Sequence, residues 1–322
     1  MLGTHQIILP KENIMHTITR TVRNFSIIFV FGVSVAIPSN VMAEDFDRSP
    51  GLREIKPDCY VYLHTDDKPG VSSTFNNGII VTADGVVVID ALRTEDDARR
   101  VREAISKVTS IPIRYLISST PHRPFTGGIT VYADTFRIAQ ENTRADLNKL
   151  LEKESVKDRE NKLHHLTFSD RLTLYLGGKE IQILFLGRGH TKSDTIVFLP
   201  KERIVYMGET FYCNEFPYIS QGYSADWMRT IEAAEKLEAD IFIPGHGFLP
   251  RDLKKTKSEL RNHWQILKDV RDAVEAQVKK GASEAEALAA IDLPQFKKFK
   301  GYPRALKIAV RRIYQELTVG LP

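Results

Sequence analysis

Three times in this chain a short β-branched or apolar run halts at glycine or proline, and a histidine follows within a few residues. His122 lies in Ser119-Thr120-Pro121-His122-Arg123-Pro124-Phe125-Thr126-Gly127-Gly128, after the run ending at Ser118. His190 lies in Gly187-Arg188-Gly189-His190-Thr191, after Ile181–Leu186, and His246 lies in Pro244-Gly245-His246-Gly247, after Asp240–Ile243. A fourth run, Arg203–Met207, ends in Gly208-Glu209-Thr210 and puts a carboxylate at the same kind of position. Loops at strand ends are where a rigid scaffold displays functional side chains, and glycine lets the backbone bend so that they converge. Three imidazoles and one carboxylate form a donor set suited to zinc or another borderline first-row ion.

The intervening sequence supplies the scaffold. Ile79–Thr82 and Val86–Ile89 flank Ala83-Asp84-Gly85, a hairpin signal that places Gly85 where a positive φ is expected. Thr94 and Asp97 have capping-box spacing, and Ala98, Val101, Ile105 and Val108 recur behind them with helical period. Arg114–Ser118 is near-continuously apolar and reads as an interior strand. In the second half, strands are expected at Arg171–Leu176, Glu180–Leu186, Thr195–Leu199, Arg203–Met207 and Asp240–Ile243. Ser224 is placed to cap a helix whose Trp227, Ile231 and Ala234 share a face. From about residue 255 the chain turns helical, with a stripe of Leu260, Trp264, Leu267, Val274 and Val278 stopped by Gly281. Pro303–Leu317 is amphipathic in the same way. Strands and helices interleave in two similar halves, which argues α/β or α+β in one domain.

Composition excludes the exotic classes. With 322 residues, 42% hydrophobic and 27% charged, the chain is neither disordered, collagenous nor a coiled coil. A net charge of +4 from 45 basic and 41 acidic residues is too balanced for a nucleic-acid footprint. The basic stretch of Lys297, Lys298, Lys300, Arg304, Lys307, Arg311 and Arg312 flanks an apolar stripe and reads as a solvated helix face.

Near the N-terminus, Arg20 and Arg23 precede an apolar run, Phe25–Ile37, and then Val41-Met42-Ala43. The run is short of the ~20 residues a spanning helix needs, so residues 1–43 read as a signal peptide, with Met15 as an alternative start. Residues 44–322 are then a single exported domain, periplasmic or secreted, with no stable membrane span after cleavage. Export leaves two states open for Cys59 and Cys213: a disulfide, or two buried thiols.

Taken together, Asn77–Asp90, Thr120–Gly128, Gly187–Asp194, Gly208–Glu209 and Pro244–Gly247 fall in an order and spacing that resembles the metallo-β-lactamase superfamily, over roughly residues 70–322. The resemblance implies an α+β fold, an αββα sandwich of two mixed sheets packed face to face with helices outside. It also implies metal at the edge where strand-end loops meet. The departures are specific. With Gly127-Gly128 setting the register, Thr120 stands where the family's T-H-x-H-x-D-H-x-G-G motif has its first histidine. Pro124 replaces its aspartate and Phe125 its last histidine, while Glu209 replaces the bridging aspartate. A normal two-metal site is therefore not expected. The expectation is one ion, zinc with iron or manganese as alternatives, held by His122, His190, Glu209 and His246. It would activate water against a small-molecule ester, lactone, amide or phosphate-type substrate. Glu209 is the candidate catalytic group, although ligand and base are competing roles for one carboxylate. The alternatives are a non-catalytic member that binds a ligand in the cleft, with metal weak or absent, and an iron oxidoreductase of the same fold.

Asp90 and Asp194 are expected to brace loops. His164 and His165 are expected in a solvated loop near the cleft, His64 and His263 in structural or exposed positions, and Cys213 as a small buried side chain. Arg123, beside His122, is either a surface arginine or a contact for an anionic substrate.

Overall fold

The computed structural model describes residues 45–66, 73–299 and 301–321. The expected signal peptide, 1–43, lies outside the described residues. Strands β1 (Phe46–Asp47), β2 (Gly51–Lys56), β3 (Cys59–Asp66), β4 (Ser73–Thr82) and β5 (Gly85–Ile89) precede the first helix, α1 (Glu95–Ser106). Next come β6 (Ile113–Ser118), the single turn α2 (Arg123–Thr126), β7 (Phe136–Gln140), α3 (Glu141–Leu150) and α4 (Val156–Glu160). The second half holds β8 (Leu166–Phe168), β9 (Arg171–Leu176), β10 (Lys179–Leu184), β11 (Ile196–Leu199), β12 (Ile204–Tyr206) and β13 (Tyr212–Cys213). After α5 (Ser224–Glu235) follow β14 (Ile241–Ile243), β15 (His246–Gly247) and β16 (Leu249–Pro250). Three helices close the chain: α6 (Thr256–Lys279), α7 (Glu284–Ala290) and α8 (Tyr302–Thr318).

Among the described residues two mixed sheets result, with β1 and β16 forming a separate short antiparallel pair. One runs β13-β15-β4-β5-β6-β7-β8, with β3 also on β4 and β2 on β3; the other runs β14-β12-β11-β10-β9. In the larger sheet β4–β5 is antiparallel while β5–β6, β6–β7 and β7–β8 are parallel. Ile79–Val81 of β4 and Val86–Ile89 of β5 are continuous apolar runs because both faces are covered there. Ile80, Val87 and Ile89 enter the layer between the sheets, against Ile181, Ile183, Val197 and Ile204. Ile79, Val81, Val86 and Val88 face outward onto Ala98, Val101 and Ile105 of α1. On the far side, Phe198, Val205 and Phe242 meet Trp227 and Ile231 of α5, Leu260 and Leu267 of α6, and Val310 and Ile313 of α8. The architecture is helix, sheet, sheet, helix: the αββα sandwich.

Local signals succeed where they act locally. Thr94 caps α1, accepting the Asp97 N–H at 3.1 Å, worth ~1 kcal/mol. Two expectations are corrected. The hairpin at Ala83–Gly85 forms, but Gly85 does not need a positive φ; a Cβ there would sit 2.6 Å from the Arg114 side chain, so close packing requires the glycine. Ser224 does not cap its helix, whose N-cap is Tyr223, without a side-chain bond. Instead its hydroxyl donates to Glu316 of α8 at 2.7 Å. Cys59 and Cys213 are both buried free thiols. They sit in separate cores, Cys59 between the sheets and Cys213 on the helical side of the smaller sheet.

Candidate metal centre

The expected side chains arrive at one edge because the strands carrying them end there. His122 follows β6 and precedes α2; Glu209 lies on the turn Gly208–Thr210 after β12; His246 opens β15. β12 and β14 pair in parallel, so their C-terminal loops, carrying Glu209 and His246, leave on the same side. Close backbone approach finishes the placement. A Cβ at Gly245 would lie 2.1 Å from the Gly208 carbonyl oxygen, so only glycine lets these two loops touch.

Glu209, 3% exposed, is the hub. Its Oε2 accepts from Thr120 Oγ1 at 2.8 Å and meets His122 Nδ1 at 2.8 Å and His190 Nδ1 at 3.2 Å. Its Oε1 faces His246 Nε2 at 3.5 Å. The donor atoms of His122, His190 and Glu209 all lie within 4.8 Å of one another. His246 stands outside that group, against the other carboxylate oxygen, so the four expected ligands divide into three that converge and one that flanks.

Each imidazole uses its outer nitrogen on an oxygen. His122 Nε2 donates to Gln221 Oε1 at 3.1 Å, His190 Nε2 to the Tyr218 carbonyl at 2.7 Å, and His246 Nδ1 to the Thr74 carbonyl at 3.1 Å. That leaves His190 Nδ1 and His246 Nε2 buried and turned toward Glu209 at 3.2 and 3.5 Å, outside good hydrogen-bond geometry. With the outer protons fixed on oxygens, a positive charge between these inner nitrogens and the buried carboxylate, a second ring proton or a metal ion, satisfies both sides. An outer N–H fixed on an oxygen is also how metal-binding histidines are oriented. The residues present therefore fit one metal ion.

The electrostatics agree with a site built for a positive charge. Burial pushes the Glu209 carboxyl up, but His190 and His122 outweigh it and hold the group well below the usual carboxylate range. Burial lowers the His122 imidazole, yet the Glu209 charge and the bonds to Glu209 and Gln221 raise it to about 9. Glu209 and His122 thus form an ion pair in which a proton holds the place of the cation.

The half of the site beside His246 is apolar. Phe125, where the family motif has a histidine, is fully buried and meets the His246 ring edge-on at 5.1 Å; Phe75 does so at 5.4 Å. Tyr212 stacks on the third side at 4.1 Å, with His263 stacked behind it at 5.7 Å. His263 is buried, and burial, followed by nearby His190 and His246, pushes it down to about 3 despite its bond to Tyr212. Thr120, Gln221, the Tyr218 carbonyl and Tyr212 are contributors that spacing alone did not single out. Only Thr120 carried a signal, as the replacement for a motif histidine.

The other candidates fall into place. Asp90 accepts from the Ser119 N–H and Oγ at 2.7 and 2.8 Å, and Asp194 from the Thr191 N–H and Oγ1, both at 2.7 Å. These aspartates bind the His122 and His190 loops. Burial drives Asp90 up to about 7 against those bonds. His64 stacks on Phe75 and lies 3.6 Å from Asp97. His165 is exposed as expected, but His164 is buried, with Arg137 and Arg144 nearby. Arg123 is exposed beside His122.

Comparison with known proteins gives a consistent result. The family model for the metallo-β-lactamase superfamily matches residues 75–246. A type 2 metallo-β-lactamase of Elizabethkingia meningoseptica is 22% identical over 200 residues, 61% of this chain and 78% of that protein. Metallo-β-lactamase IND-1 of Chryseobacterium indologenes is 23% identical over 223 residues, 68% of this chain and 89% of that one. Among solved structures, a metallo-β-lactamase from Pontibacter korlensis superposes with a TM-score of 0.59 at 18% identity, covering 69% of this chain and 100% of its own.

Proposed function

The chain belongs to the metallo-β-lactamase superfamily, and from that premise we propose that it is an exported, metal-dependent hydrolase with a single-ion centre of His122, His190 and Glu209. The observation that carries this reading is the convergence of the His122, His190 and Glu209 donor atoms within 4.8 Å of one another, with the inner nitrogens of His190 and His246 buried against the one carboxylate. When bound, the ion, zinc by its donor set, supplies Lewis-acid activation of water and of an ester, lactone, amide or phosphate-type centre.

The chain's own residues divide the remaining work. Glu209, held well below the usual carboxylate range, acts as ligand and counter-charge rather than as a general base. Thr120 fixes its orientation through the 2.8 Å bond to Oε2. The His122 side chain is 19% exposed against 3% for His190 and 4% for Glu209, so substrate reaches the centre over His122, with Arg123 alongside. Phe125 and Phe75 pack on His246, and among the described residues no second cluster of metal-ligating side chains forms there. β-Lactam hydrolysis is not part of the reading, since Thr120, Pro124 and Phe125 replace family ligands.

The test is metal analysis of the purified protein. About one equivalent of metal, lost in a His122→Ala/His190→Ala double variant, supports the reading, and a panel of chromogenic esters, lactones, amides and phosphates then assigns the reaction. Protein that stays folded, metal-free and indifferent to added zinc overturns it. That outcome would favour the second reading, a ligand-binding cleft without catalysis, to which the apolar packing of Phe125 on His246 lends its support. Export is tested separately by fractionating expressing cells and weighing the mature chain for cleavage after Ala43.

A further inference from the structure

Two of the three imidazoles take their orientation from residues 214–223, the strap joining β13 to α5. Tyr218 offers its carbonyl to His190 and Gln221 its side-chain oxygen to His122. Phe216, Ile219 and Tyr223 of the strap are buried, but Tyr218 and Gln221, which meet the imidazoles, are exposed, and they orient a ring only as firmly as their own backbone is held.

Beside the core packing of Phe216 and Ile219, the segment around Gln221 is held by the C-terminal helix. Arg312 of α8 donates Nε to the Gly222 carbonyl and Nη2 to the Gln221 carbonyl, both at 2.8 Å. Its guanidinium also lies 5.4 Å from the Tyr223 ring. One turn later, Glu316 accepts from the Ser224 N–H at 2.9 Å, the Ser224 hydroxyl at 2.7 Å and the Ala225 N–H at 3.3 Å. Glu316 is itself fixed by Arg271 of α6 at 2.8 Å. Residues four apart share a helix face. α8 therefore grips one junction twice, with a cation on the strap's carbonyls and an anion on the first amides of α5. Both charges suit what they hold, because exposed carbonyls attract a cation and a helix N-terminus an anion.

We propose that Arg312 is a positioning residue for the metal centre, holding the strap so that Gln221 and Tyr218 turn the inner nitrogens of His122 and His190 onto Glu209. Its geometry stands by itself, while its consequence for metal affinity rests on the single-ion reading above. Loss of Arg312 frees both strap carbonyls, lets Gln221 leave His122, and allows the rings to turn away from the carboxylate. Removing an outer partner of a metal-binding histidine weakens metal by roughly 10–100-fold. α8 lies beyond residues 75–246, the span the family model matches, so this grip belongs to the chain's C-terminal helices.

The experiment has two readouts on the full chain. In metal-free protein, the Nε2–H protons of His122 and His190 should appear in ¹H–¹⁵N spectra as protected imidazole signals. Arg312→Ala should make their solvent exchange at least tenfold faster, while Arg312→Lys, which keeps one donor, falls between. Zinc binding, measured by competition with a chromophoric chelator, should weaken about tenfold in Arg312→Ala. Arg311→Ala, whose side chain pairs with Glu284 instead, should change neither. Should Arg312→Ala fail to fold, Arg312→Gln decides on the same spectra. A folded variant with wild-type imidazole signals and zinc affinity overturns the proposal, even if its melting temperature drops. Wild-type protein that ignores zinc but still shows Arg312-dependent imidazole protection would sink the single-ion reading and leave the positioning role standing.

Discussion

His190 and His164 are buried to nearly the same degree, 2% and 3% exposed, but their surroundings are opposite. At the strand-end centre, imidazoles surround a carboxylate and have oxygens behind them, and His122 is raised to about 9. At His164 neither ring nitrogen has a partner. Burial first, then the charges of Arg137, Arg144 and His165, push that imidazole down to about 3. The difference shows that burial alone does not mark a functional histidine. What marks it is an anion on the inner side and an acceptor on the outer one, since together they orient the ring and prepare it for a proton or a metal ion.

The strongest way to break this contrast is Glu209→Gln. With the carboxylate gone, burial acts on His122 against only the Gln221 bond and the Asp194 charge, and its imidazole should fall from about 9, as followed by NMR titration. Removing one member of a buried charge group should cost roughly 3–5 kcal/mol of stability, and loss of the only anionic donor among the three should weaken zinc binding by about a hundredfold, roughly 2.8 kcal/mol. A variant that keeps wild-type affinity would remove Glu209 from the centre.

A smaller effect is expected at the other pole. Below about pH 6.5 the unfolded chain protonates His164, while the folded chain resists until about pH 3, so this residue makes stability fall as pH falls through that window. By pH 5 the loss is about 2 kcal/mol. His164→Phe should remove it, flattening the acid limb of a urea-denaturation series while leaving zinc binding unchanged. An unaltered pH slope would show that His164 finds a partner in solution. The smallest effect is Thr120→Val, which deletes one donor to Glu209 and should cost about 1–2 kcal/mol of stability in denaturant titration, without abolishing metal binding.

Much of the scaffold was legible in the sequence because its signals are short-range. Thr94 and Asp97 mark the start of α1, Ile79–Thr82 and Val86–Ile89 mark the β4–β5 hairpin, and Arg114–Ser118 marks β6, which is buried from Leu116 on. The positions of His122, His190, Glu209 and His246 at strand ends were readable for the same reason. Ser224 misled because its partner, Glu316, is 92 residues away, and a long-range carboxylate outcompetes local capping. Gly85 misled because glycine serves close packing as well as unusual φ, and only the neighbouring Arg114 tells which. The His164 and His165 pair split because one side chain faces inward and the next outward, a distinction the loop sequence does not carry.

Sequence alone determined the donor set: which residue types stand at the ends of the strands, and that Thr120, Pro124 and Phe125 cannot supply the ligands they replace. Tertiary structure decided how that set is used. It joined His122, His190 and Glu209 within 4.8 Å, set His246 to one side beneath Phe125 and Phe75, and brought a helix from the far end of the chain to hold the strap over the site. The physical reason is range. Residue identity and local pattern specify which atoms stand at a strand's end, while the charges and hydrogen-bond partners that give those atoms a role come from segments tens of residues away. Only packing of the sheets and the C-terminal helices puts them in contact.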